Sequence, residues 1–312
     1  MGRAVIYETF GGPEVLELRE VPEPHAGPGE VRVRVTAAGL NPMDWAIAAR
    51  PELAARFGIT APSGFGSDLA GVIDEVGDGI GGVGGLGGFA VGDRVHGTAL
   101  GKAVADHVVI RPPADALWRT PQGVGDEVAA TLGVAGLTAA AALAAIGLRA
   151  GDTVLIGGAA GGVGVFAVQL ARLAGATVIG TASPGTFGFL RRLGAEPVAY
   201  GAGLAERVRA LAPGGVSAAT DLFGTETAEA ALALGVAPGR ISTVAAGPNP
   251  PGGVHATGAY SAAPDAMEQI AGAVAAGGLI VPIAAAFPVE KIHDAVTLQA
   301  GRHVHGKVVV TF

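Results

Sequence analysis

The stretch "GGAAGGVGVF", residues 157–166, decides the fold of this chain. The short apolar segment "DTVLIGG" leads into it, and a segment of helical period that ends at Gly175 follows it. A strand that ends in a tight turn where a helix begins offers free backbone N–H groups and the positive end of the helix dipole, which together hold a pyrophosphate. This context predicts a dinucleotide-binding loop, with Gly161 allowing close backbone approach and Gly164 letting the helix lie against the strand.

Two glycine runs compete for this role. The run at 157–166 departs from the pattern Gly-x-Gly-x-x-Gly because Ala159 stands at the first glycine, which is acceptable if the turn needs no positive φ there. The run "GVGGLG", residues 82–87, matches letter for letter, but a strand-like segment follows it instead of a helix. We therefore interpret residues 82–87 as a glycine-rich surface loop and the imperfect match as the nucleotide site.

The segments around the loop predict an α/β chain with two domains. From about residue 120, apolar strand-like segments alternate with helical ones, which is typical of a doubly wound parallel sheet. Before about residue 118, short alternating segments such as "VRVRVTAAG" predict a β-rich domain. After about residue 261 come helix, strand, helix and strand signals, and periodicity alone does not assign this tail to either domain.

Composition excludes several classes of protein. The net charge of −7 and the absence of a basic run argue against nucleic acid as a partner, and the absence of cysteine excludes disulfides and thiolate metal sites. The N-terminal "MGRAVIYETF" has no apolar signal core, so we expect a cytoplasmic location. The charge-free run 128–148 lacks aromatic and basic anchors, which favours a buried helical stretch over a membrane span.

The second half of the dinucleotide fingerprint is an acid about 20 residues beyond the loop, which binds the ribose of NAD. The corresponding segment "VIGTASPGTFG", residues 178–188, contains no Asp or Glu, which permits NADP(H), and no Lys or Arg precedes Arg191. Thr181 and Ser183 are expected to line the adenosine ribose. The residues expected to face the pyrophosphate are Gly161, Gly162 and Val163.

Several stretches of the chain resemble one family. They are "GGPEVLEL", "PGEVRVRVTAAGLNPMD", "GSDLAGVIDEVG", "VGDRV", "AGLTAAAAL", "GAAGGVGVFAVQLARLAGATVIGTAS" and "GRHVHGKVVV". Together they resemble the zinc-independent quinone oxidoreductases of the medium-chain dehydrogenase/reductase superfamily. The resemblance implies a GroES-like β domain, residues 1–118 and 261–312, and a Rossmann domain, residues 119–260, with the C-terminal tail returning to the first domain.

The resemblance also implies the site. Zinc-dependent relatives place Cys near position 41, Gly-His-Glu near 66–68 and Cys near 132, where this chain has Asn41, Ser67, Asp68 and Leu132. A catalytic zinc needs three protein ligands, so we expect no metal. The other site residues implied by the resemblance are Tyr200 and Arg302 near the 2′-phosphate, and Thr138, Gly224 and Ala246 near the nicotinamide.

The implied reaction is reduction of a quinone or an enone by hydride from C4 of the nicotinamide of NADPH. The protein has to position the reactants and stabilise the developing enolate or phenolate. Asn41 is the candidate donor, and its alternative role is that of a turn residue before Pro42. Asp44 is expected to brace this loop, with the proton supplied by water.

Two other functions stay open. One is reduction of an enoyl thioester, although no carrier-protein domain is recognised in the chain. The other is a nucleotide-binding protein with little turnover. The apolar strand candidate "VHATGAY" would leave an open sheet edge, which predicts a homodimer formed across that edge.

Overall fold

The computed structural model describes residues 1–78, 88–247 and 249–312, so the glycine run at 82–87 lies outside the described residues. The chain divides into two compact units, Met1–Val134 with Ile283–Phe312, and Ala135–Pro282. The sequence placed these divisions at 118/119 and 260/261, which differs from the observed ones.

Strands and helices of the described residues are numbered along the chain. The strands are β1 (Gly2–Tyr7), β2 (Glu17–Val21), β3 (Val31–Leu40), β4 (Ser63–Gly64), β5 (Asp68–Val76), β6 (Arg94–Thr98), β7 (His107–Ile110), β8 (Ala116–Arg119), β9 (Thr153–Gly157), β10 (Thr177–Ala182), β11 (Glu196–Ala199), β12 (Ala218–Asp221), β13 (Ile241–Thr243), β14 (His255–Ala256), β15 (Ile283–Pro288) and β16 (Lys307–Thr311). The α-helices are α1 (Pro42–Ala49), α2 (Pro51–Arg56), α3 (Asp126–Ala129), α4 (Leu137–Ala145), α5 (Gly164–Leu173), α6 (Phe187–Leu193), α7 (Leu204–Leu211), α8 (Glu226–Ala233), α9 (Ala266–Ala275) and α10 (Ile292–Ala300).

The first unit is built on a mostly antiparallel sheet of order β15-β16-β3-β5-β6-β8, with β7 also paired to β3. A smaller sheet has the order β2-β1-β4. The alternation in "VRVRV" explains the central strand, because Val31, Val33 and Val35 are buried while Arg32 and Arg34 are not. The last strand, β16, pairs antiparallel with β3, so the tail whose assignment periodicity left open lies in this unit.

The second unit is a parallel sheet of order β11-β10-β9-β12-β13-β14. Numbered from β9, this is the 3-2-1-4-5-6 order of the Rossmann fold. Helices α5 and α6 connect neighbouring strands on one side of β9, and α7 and α8 follow β11 and β12. The predicted fold class, a GroES-like β domain joined to a doubly wound parallel sheet, is confirmed.

Tertiary packing explains why the units end where they do. Helix α3 packs against β3, β5 and β6, which carries the first unit past residue 118. A Cβ added at Gly39 of β3 would overlap the carbonyl oxygen of Ala130, so the chain runs close over this strand. In the second unit, α9 packs against α4, and the side chain of Gln169 bonds both backbone groups of Ile280.

The charge-free run 128–148 is not one helix. It contains the end of α3, a π-helical turn at Leu132–Gly136 and then α4. Many of its side chains are buried, including Leu132 and Ala139. Across the described ranges, no helix has the length and apolar character needed to cross a bilayer.

Candidate active site

The glycine loop of the second unit begins where β9 ends. Gly158 adopts a φ of +66°, and its N–H donates a 3.0 Å hydrogen bond to Oγ1 of Thr181 on β10. The next N–H, that of Ala159, donates to the carbonyl oxygen of Thr181 at 3.2 Å. In the part of the chain that the structure describes, Arg302 is the one non-glycine residue with positive φ, so Ala159 is unstrained. The turn takes its left-handed residue one position earlier, which explains how alanine is accepted there.

Gly164 begins α5 and lies directly against the end of β9. A Cβ at Gly164 would overlap the carbonyl oxygen of Gly158 and lie 2.5 Å from the carbonyl carbon of Ala159. The expected role of Gly164 in close helix–strand packing is therefore confirmed. A Cβ at Gly161 would meet only the Gly158 oxygen, at 3.3 Å, so Gly161 borders open space.

The half-buried residues Gly161, Gly162 and Val163 lie at the start of α5, where helix N–H groups lack partners within the helix. This is the position that an anion takes at a helix N-terminus. Their contact with a pyrophosphate stays a prediction.

Other predicted cofactor residues follow the carboxyl ends of neighbouring parallel strands, which meet at one edge of the sheet. Ser183 follows β10, Tyr200 follows β11, Gly224 follows β12 and Ala246 follows β13. Two of these loops are joined directly, because Oγ1 of Thr243 lies 3.4 Å from the Gly224 oxygen and accepts the Ala246 N–H at 3.2 Å.

The buried carboxylate of Asp221 at the end of β12 organises the same edge. One oxygen accepts the N–H groups of Phe223 and Gly224, at 3.0 and 2.9 Å. The other accepts the N–H groups of Thr227 and Ala228 at the start of α8, at 2.8 and 3.3 Å. The Asp221 carboxylate thus joins the loop that contains Gly224 to the start of α8.

The polar residues expected near the adenosine already have partners. Thr181 is 3% exposed, and its hydroxyl accepts a hydrogen bond from the Gly158 N–H, so Thr181 stabilises the start of the glycine loop. Ser183 shares a 2.8 Å hydrogen bond with the Thr186 hydroxyl. Tyr200 is 56% exposed, which leaves its ring accessible from solvent.

Arg207 on α7 was missed by the sequence analysis. Its guanidinium donates hydrogen bonds to the four carbonyl oxygens of residues 199–202, at 2.7 to 3.2 Å. It thereby fixes the loop that holds Tyr200. No sequence pattern reveals this role, because every partner is a backbone carbonyl.

Two predicted cofactor residues belong to other elements of the chain. Thr138 is buried in α4 of the second unit. Arg302 belongs to the first unit, follows α10 with a φ of 55°, and places its guanidinium carbon 5.8 Å from the centre of the Trp45 ring. The cofactor contacts of both stay predictions.

In the first unit, positions 41, 67 and 68 meet around the start of α1. The Asn41 backbone N–H donates to Oδ2 of Asp44 at 2.7 Å, and the Ser67 hydroxyl donates to Oδ1 of Asp44 at 2.5 Å. The Asn41 amide donates to Oδ2 of Asp68 at 2.9 Å and, more weakly, to the Gly39 oxygen at 3.4 Å. Oδ1 of Asp68 accepts the backbone N–H of residue 134 at 2.9 Å.

Lys307 completes this group from β16. Its ammonium donates to Oδ1 of Asn41 at 2.6 Å and to the Leu40 carbonyl oxygen at 3.1 Å. We call Asn41, Asp44, Ser67, Asp68 and Lys307 the buried cluster, since none of them is more than 4% exposed. The sequence signal for Lys307 was a charge at the start of the apolar strand "KVVVTF", but its partners lie far away in the sequence.

Burial dominates the electrostatics of the cluster. It raises the pKa of Asp44 to about 7, with the charge of Asp68 adding to the rise and Lys307 opposing it. Burial also raises the pKa of Asp68 against the opposing charge of Lys307. The pKa of Lys307 is lowered by burial, although both carboxylates oppose that shift.

The cluster does not fit zinc. Asn41, Ser67 and Leu132 replace the Cys and His ligands of the zinc-dependent relatives, and an ammonium bonds the Asn41 oxygen where a cation would otherwise be held. Within residues 1–78, 88–247 and 249–312, no three His, Asp or Glu side chains group in a way that could hold a metal ion.

The amide of Asn41 is engaged on both sides. Its Nδ2 donates to Asp68 and Gly39, and its Oδ1 accepts from Lys307. These bonds compete with the predicted donation to a substrate oxygen, and they make Asn41 the link between Asp68 and Lys307. Its catalytic role stays a prediction.

Comparison with known families matches this architecture. Residues 27–188 match the alcohol dehydrogenase GroES-like domain, and residues 162–252 match the zinc-binding dehydrogenase family. The quinone oxidoreductase of Pseudomonas aeruginosa is 33% identical over 99% of both chains. The spectinabilin polyketide synthase system protein NorB of Streptomyces orinoci is 44% identical over 60% of this chain, but the match spans only 8% of that much longer protein.

Solved structures of similar proteins cover the whole chain. The quinone oxidoreductase of Coxiella burnetii has a TM-score of 0.85 at 29% identity and covers 100% of this chain and 99% of its own. A mycobacterial protein solved in complex with NADPH has a TM-score of 0.85 at 27% identity, covering 100% of both chains. The CurK enoyl reductase has a TM-score of 0.85 at 27% identity, covering 99% of both. The chain therefore belongs to the quinone oxidoreductase family of the medium-chain dehydrogenase/reductase superfamily.

Proposed function

We propose that this oxidoreductase transfers hydride from C4 of the nicotinamide of NADPH to a quinone or to an activated C=C bond such as that of an enone, without zinc. The observation that carries the proposal is the loop between β9 and α5, where Gly164 packs the helix on the strand and Gly161 borders open space. The full-length similarity to a quinone oxidoreductase supports the same reaction class.

The preference for NADPH rests on the end of β10. The segment 178–188 contains no carboxylate that would repel a 2′-phosphate, and a structural neighbour was solved with NADPH. We assign the pyrophosphate to Gly161, Gly162 and Val163, and the adenosine ribose to Thr181 and Ser183. The 2′-phosphate is assigned to Tyr200 and Arg302, and the nicotinamide end to Thr138, Gly224 and Ala246.

The bound cofactor supplies the hydride, and the protein supplies position, polarisation and a proton. Holding two reactants in reacting geometry can contribute roughly 7–11 kcal/mol to the lowering of the barrier. Asn41 is proposed to donate a hydrogen bond to the oxygen where negative charge develops, by turning its amide from Asp68 towards that oxygen.

Reduction of an enoyl thioester is the second candidate. It is favoured by the 44% identity to a segment of a polyketide synthase protein and by the similarity to the CurK enoyl reductase. The reaction is chemically the same, since hydride adds to the β-carbon of a C=C bond conjugated to a carbonyl. Only the pocket that holds the thioester would differ.

We further propose a cytoplasmic homodimer that acts on small molecules. The edge strand β14 has both of its residues exposed and pairs only with β13 among the described strands. An open edge of this kind is closed most simply by the same edge of a second copy.

The test is NADPH oxidation by the purified protein against quinones, enones and enoyl thioesters, with Gly161→Asp as the control variant. A Cβ at position 161 would make one tight contact, 3.3 Å from the Gly158 oxygen, and would meet no side chain, while a carboxylate there would repel the pyrophosphate. We expect turnover of a quinone or an enone by the wild type and none by the variant. Turnover of enoyl thioesters alone would establish the second candidate, and tight NADPH binding without turnover would indicate a nucleotide-binding protein.

A further inference from the structure

Asp44 of the buried cluster also lines a cavity in the first unit. The cavity has a volume of about 10 Å³, which is close to the space that one water molecule requires. Its walls include the buried residues Asp44 and Tyr7, and the half-buried residues Ile59, Leu100 and Gly101. The cavity therefore places space for about one water molecule between a buried carboxyl group and half-buried residues of the unit.

The cluster contains two carboxyl groups and one ammonium group. If all three were ionised, the cluster would hold one uncompensated negative charge, which is costly in a buried site. Retention of one proton by a carboxyl group makes the cluster neutral. The hydrogen bonds identify which carboxyl keeps it.

Asp68 is poorly arranged to hold this proton. Its two oxygens accept N–H donors from Asn41 and from the backbone of residue 134, and neither donor can become an acceptor. Oδ1 of Asp44 faces the hydroxyl of Ser67, which can rotate and accept. The retained proton therefore belongs on Oδ1 of Asp44, and in this protonated state the 2.5 Å hydrogen bond runs from Asp44 to the Ser67 oxygen, whereas in the ionised state it runs from Ser67 to the carboxylate.

We propose that Asp44 is the proton store of the reduction and that the Ser67 hydroxyl, which stands where the zinc-dependent relatives have their His ligand, passes its proton to the substrate. The inference rests on the proposed function. As hydride adds to the electrophilic carbon, the Ser67 hydroxyl gives its proton to the enolate or phenolate formed and takes the proton of Asp44. Asp44 is left as a carboxylate and recovers a proton from water through the cavity, so each turnover consumes one hydride and one solvent proton.

The surrounding charges suit a carboxyl that exchanges its proton near neutral pH. The pKa of Asp44 is raised to about 7, chiefly by burial and also by the charge of Asp68, against the hydrogen bonds from Ser67 and the Asn41 N–H and the charge of Lys307. Tyr7 lines the same cavity. Burial raises the pKa of its phenol, and a hydrogen bond with Ser63 opposes this rise, so the phenol stays neutral. General acids work best when their pKa lies near the working pH.

Asp44→Asn tests the proposal without removing hydrogen bonds. The amide oxygen can accept the Asn41 N–H, and the amide NH₂ can donate to Ser67, just as the protonated acid would. The variant therefore mimics the neutral state but has no acid proton to give. Ser67→Ala removes the relay while keeping the acid, and Asp115→Asn, at a buried carboxyl bonded to Lys102 outside the cluster, serves as the matched control.

The measurement is the pH profile of kcat with the best quinone or enone, together with the infrared C=O band of protonated carboxyl groups. We expect the wild-type kcat to fall above a pKa of about 7. In Asp44→Asn and Ser67→Ala, kcat should be roughly 10²- to 10⁴-fold lower near neutral pH, with KM little changed. In Asp44→Asn, the decrease of kcat above about pH 7, which we call the limb of the profile, should disappear. The infrared band of the carboxyl group that titrates near this pH should disappear with it. Asp115→Asn should keep both the limb and the band.

An unchanged limb in Asp44→Asn would overturn the proton store, and so would the absence of a carboxyl band titrating near pH 7 in the wild type. If the wild type reduced none of the substrates, the proposed function would be overturned instead. The infrared titration, which needs no substrate, separates the two failures.

Discussion

Replacing Lys307 by methionine removes the one positive charge of the buried cluster. Methionine fills a similar volume, so the change isolates the ammonium group and its hydrogen bonds. In the native protein this ammonium bonds Asn41 at 2.6 Å and the Leu40 carbonyl at 3.1 Å, and its charge opposes those of Asp44 and Asp68. The variant leaves both carboxyl groups buried without a counter-charge.

The expected loss follows from these contacts. A hydrogen bond from a charged group contributes about 1.5–3 kcal/mol, and Lys307 makes two of them, to Asn41 and to Leu40. The variant also leaves the buried carboxyl groups without an opposing charge, and leaving a buried charge uncompensated costs about 3–5 kcal/mol. We therefore expect Lys307→Met to lower the free energy of unfolding by about 3–5 kcal/mol at pH values above 7.

The loss should depend on pH with a definite sign. The folded-state pKa values of Asp44 and Asp68 lie above their unfolded values, and removing Lys307 raises them further. A carboxyl with a raised folded pKa contributes stability that is present below its unfolded pKa, near 4, and is lost as the pH rises through its folded pKa. For Asp44 that window extends from about 4 to at least about 7, so the variant should approach wild-type stability at its acidic end.

Urea denaturation at the two ends of this window measures the effect. Lys291→Met is the matched control, because Lys291 pairs with Asp294 at 3.7 Å on the surface with both side chains more than half exposed. The control should lose less than about 1 kcal/mol at either pH. A Lys307→Met variant as stable as the control above pH 7, or equally destabilised at both pH values, would refute the charge balance of the cluster.

Four further outcomes are expected. Arg302→Ala should weaken NADPH roughly 10- to 150-fold and leave NADH unchanged in fluorescence titrations, since one charge-assisted bond of about 1.5–3 kcal/mol is lost; equal losses would remove Arg302 from the phosphate site. Gly164→Ala should lower the free energy of unfolding by about 1–3 kcal/mol, because the added Cβ overlaps the Gly158 carbonyl. Gly161→Ala should lower it far less. A larger loss for Gly161→Ala than for Gly164→Ala would contradict the loop geometry. Dialysis against a strong chelator should leave NADPH-dependent reduction intact, and loss of activity that zinc restores would overturn the zinc-free site. Light scattering should report twice the 30.5 kDa mass of one chain, and a monomer at micromolar concentration would exclude the dimer.

Local context was enough to predict the nucleotide half of the chain. The strand before residue 158 and the helix after residue 163 identified the loop although its letters did not match, because a binding loop depends on backbone shape. The structure shows why alanine is accepted at position 159 in place of glycine. The residue with positive φ in this turn is Gly158, and Ala159 has no positive φ. The parallel, doubly wound sheet followed from the alternation of strands and helices.

The cluster around Asn41 could not be predicted in the same way. Its members come from segments far apart in the sequence, so Lys307 and Asp68 carried no local signal of their pairing with Asn41. Asp44 was expected to brace the loop, and its bond to the Asn41 N–H bears that out, but its burial and its contact with the cavity were invisible in the sequence. The packing of α3 on β3, which extends the first compact unit beyond residue 118, is likewise a tertiary contact without a local sequence signal.

The most direct test of the proposed function uses NADPH that contains deuterium at C4 of the nicotinamide, with an enone as substrate in ordinary water. Product analysis by mass spectrometry and NMR locates the label after turnover. We predict deuterium at the β-carbon when the label is on the transferred face of the nicotinamide, and hydrogen from solvent at the α-carbon. A reduced product that carries no deuterium from either face of C4 would contradict direct hydride transfer by this protein.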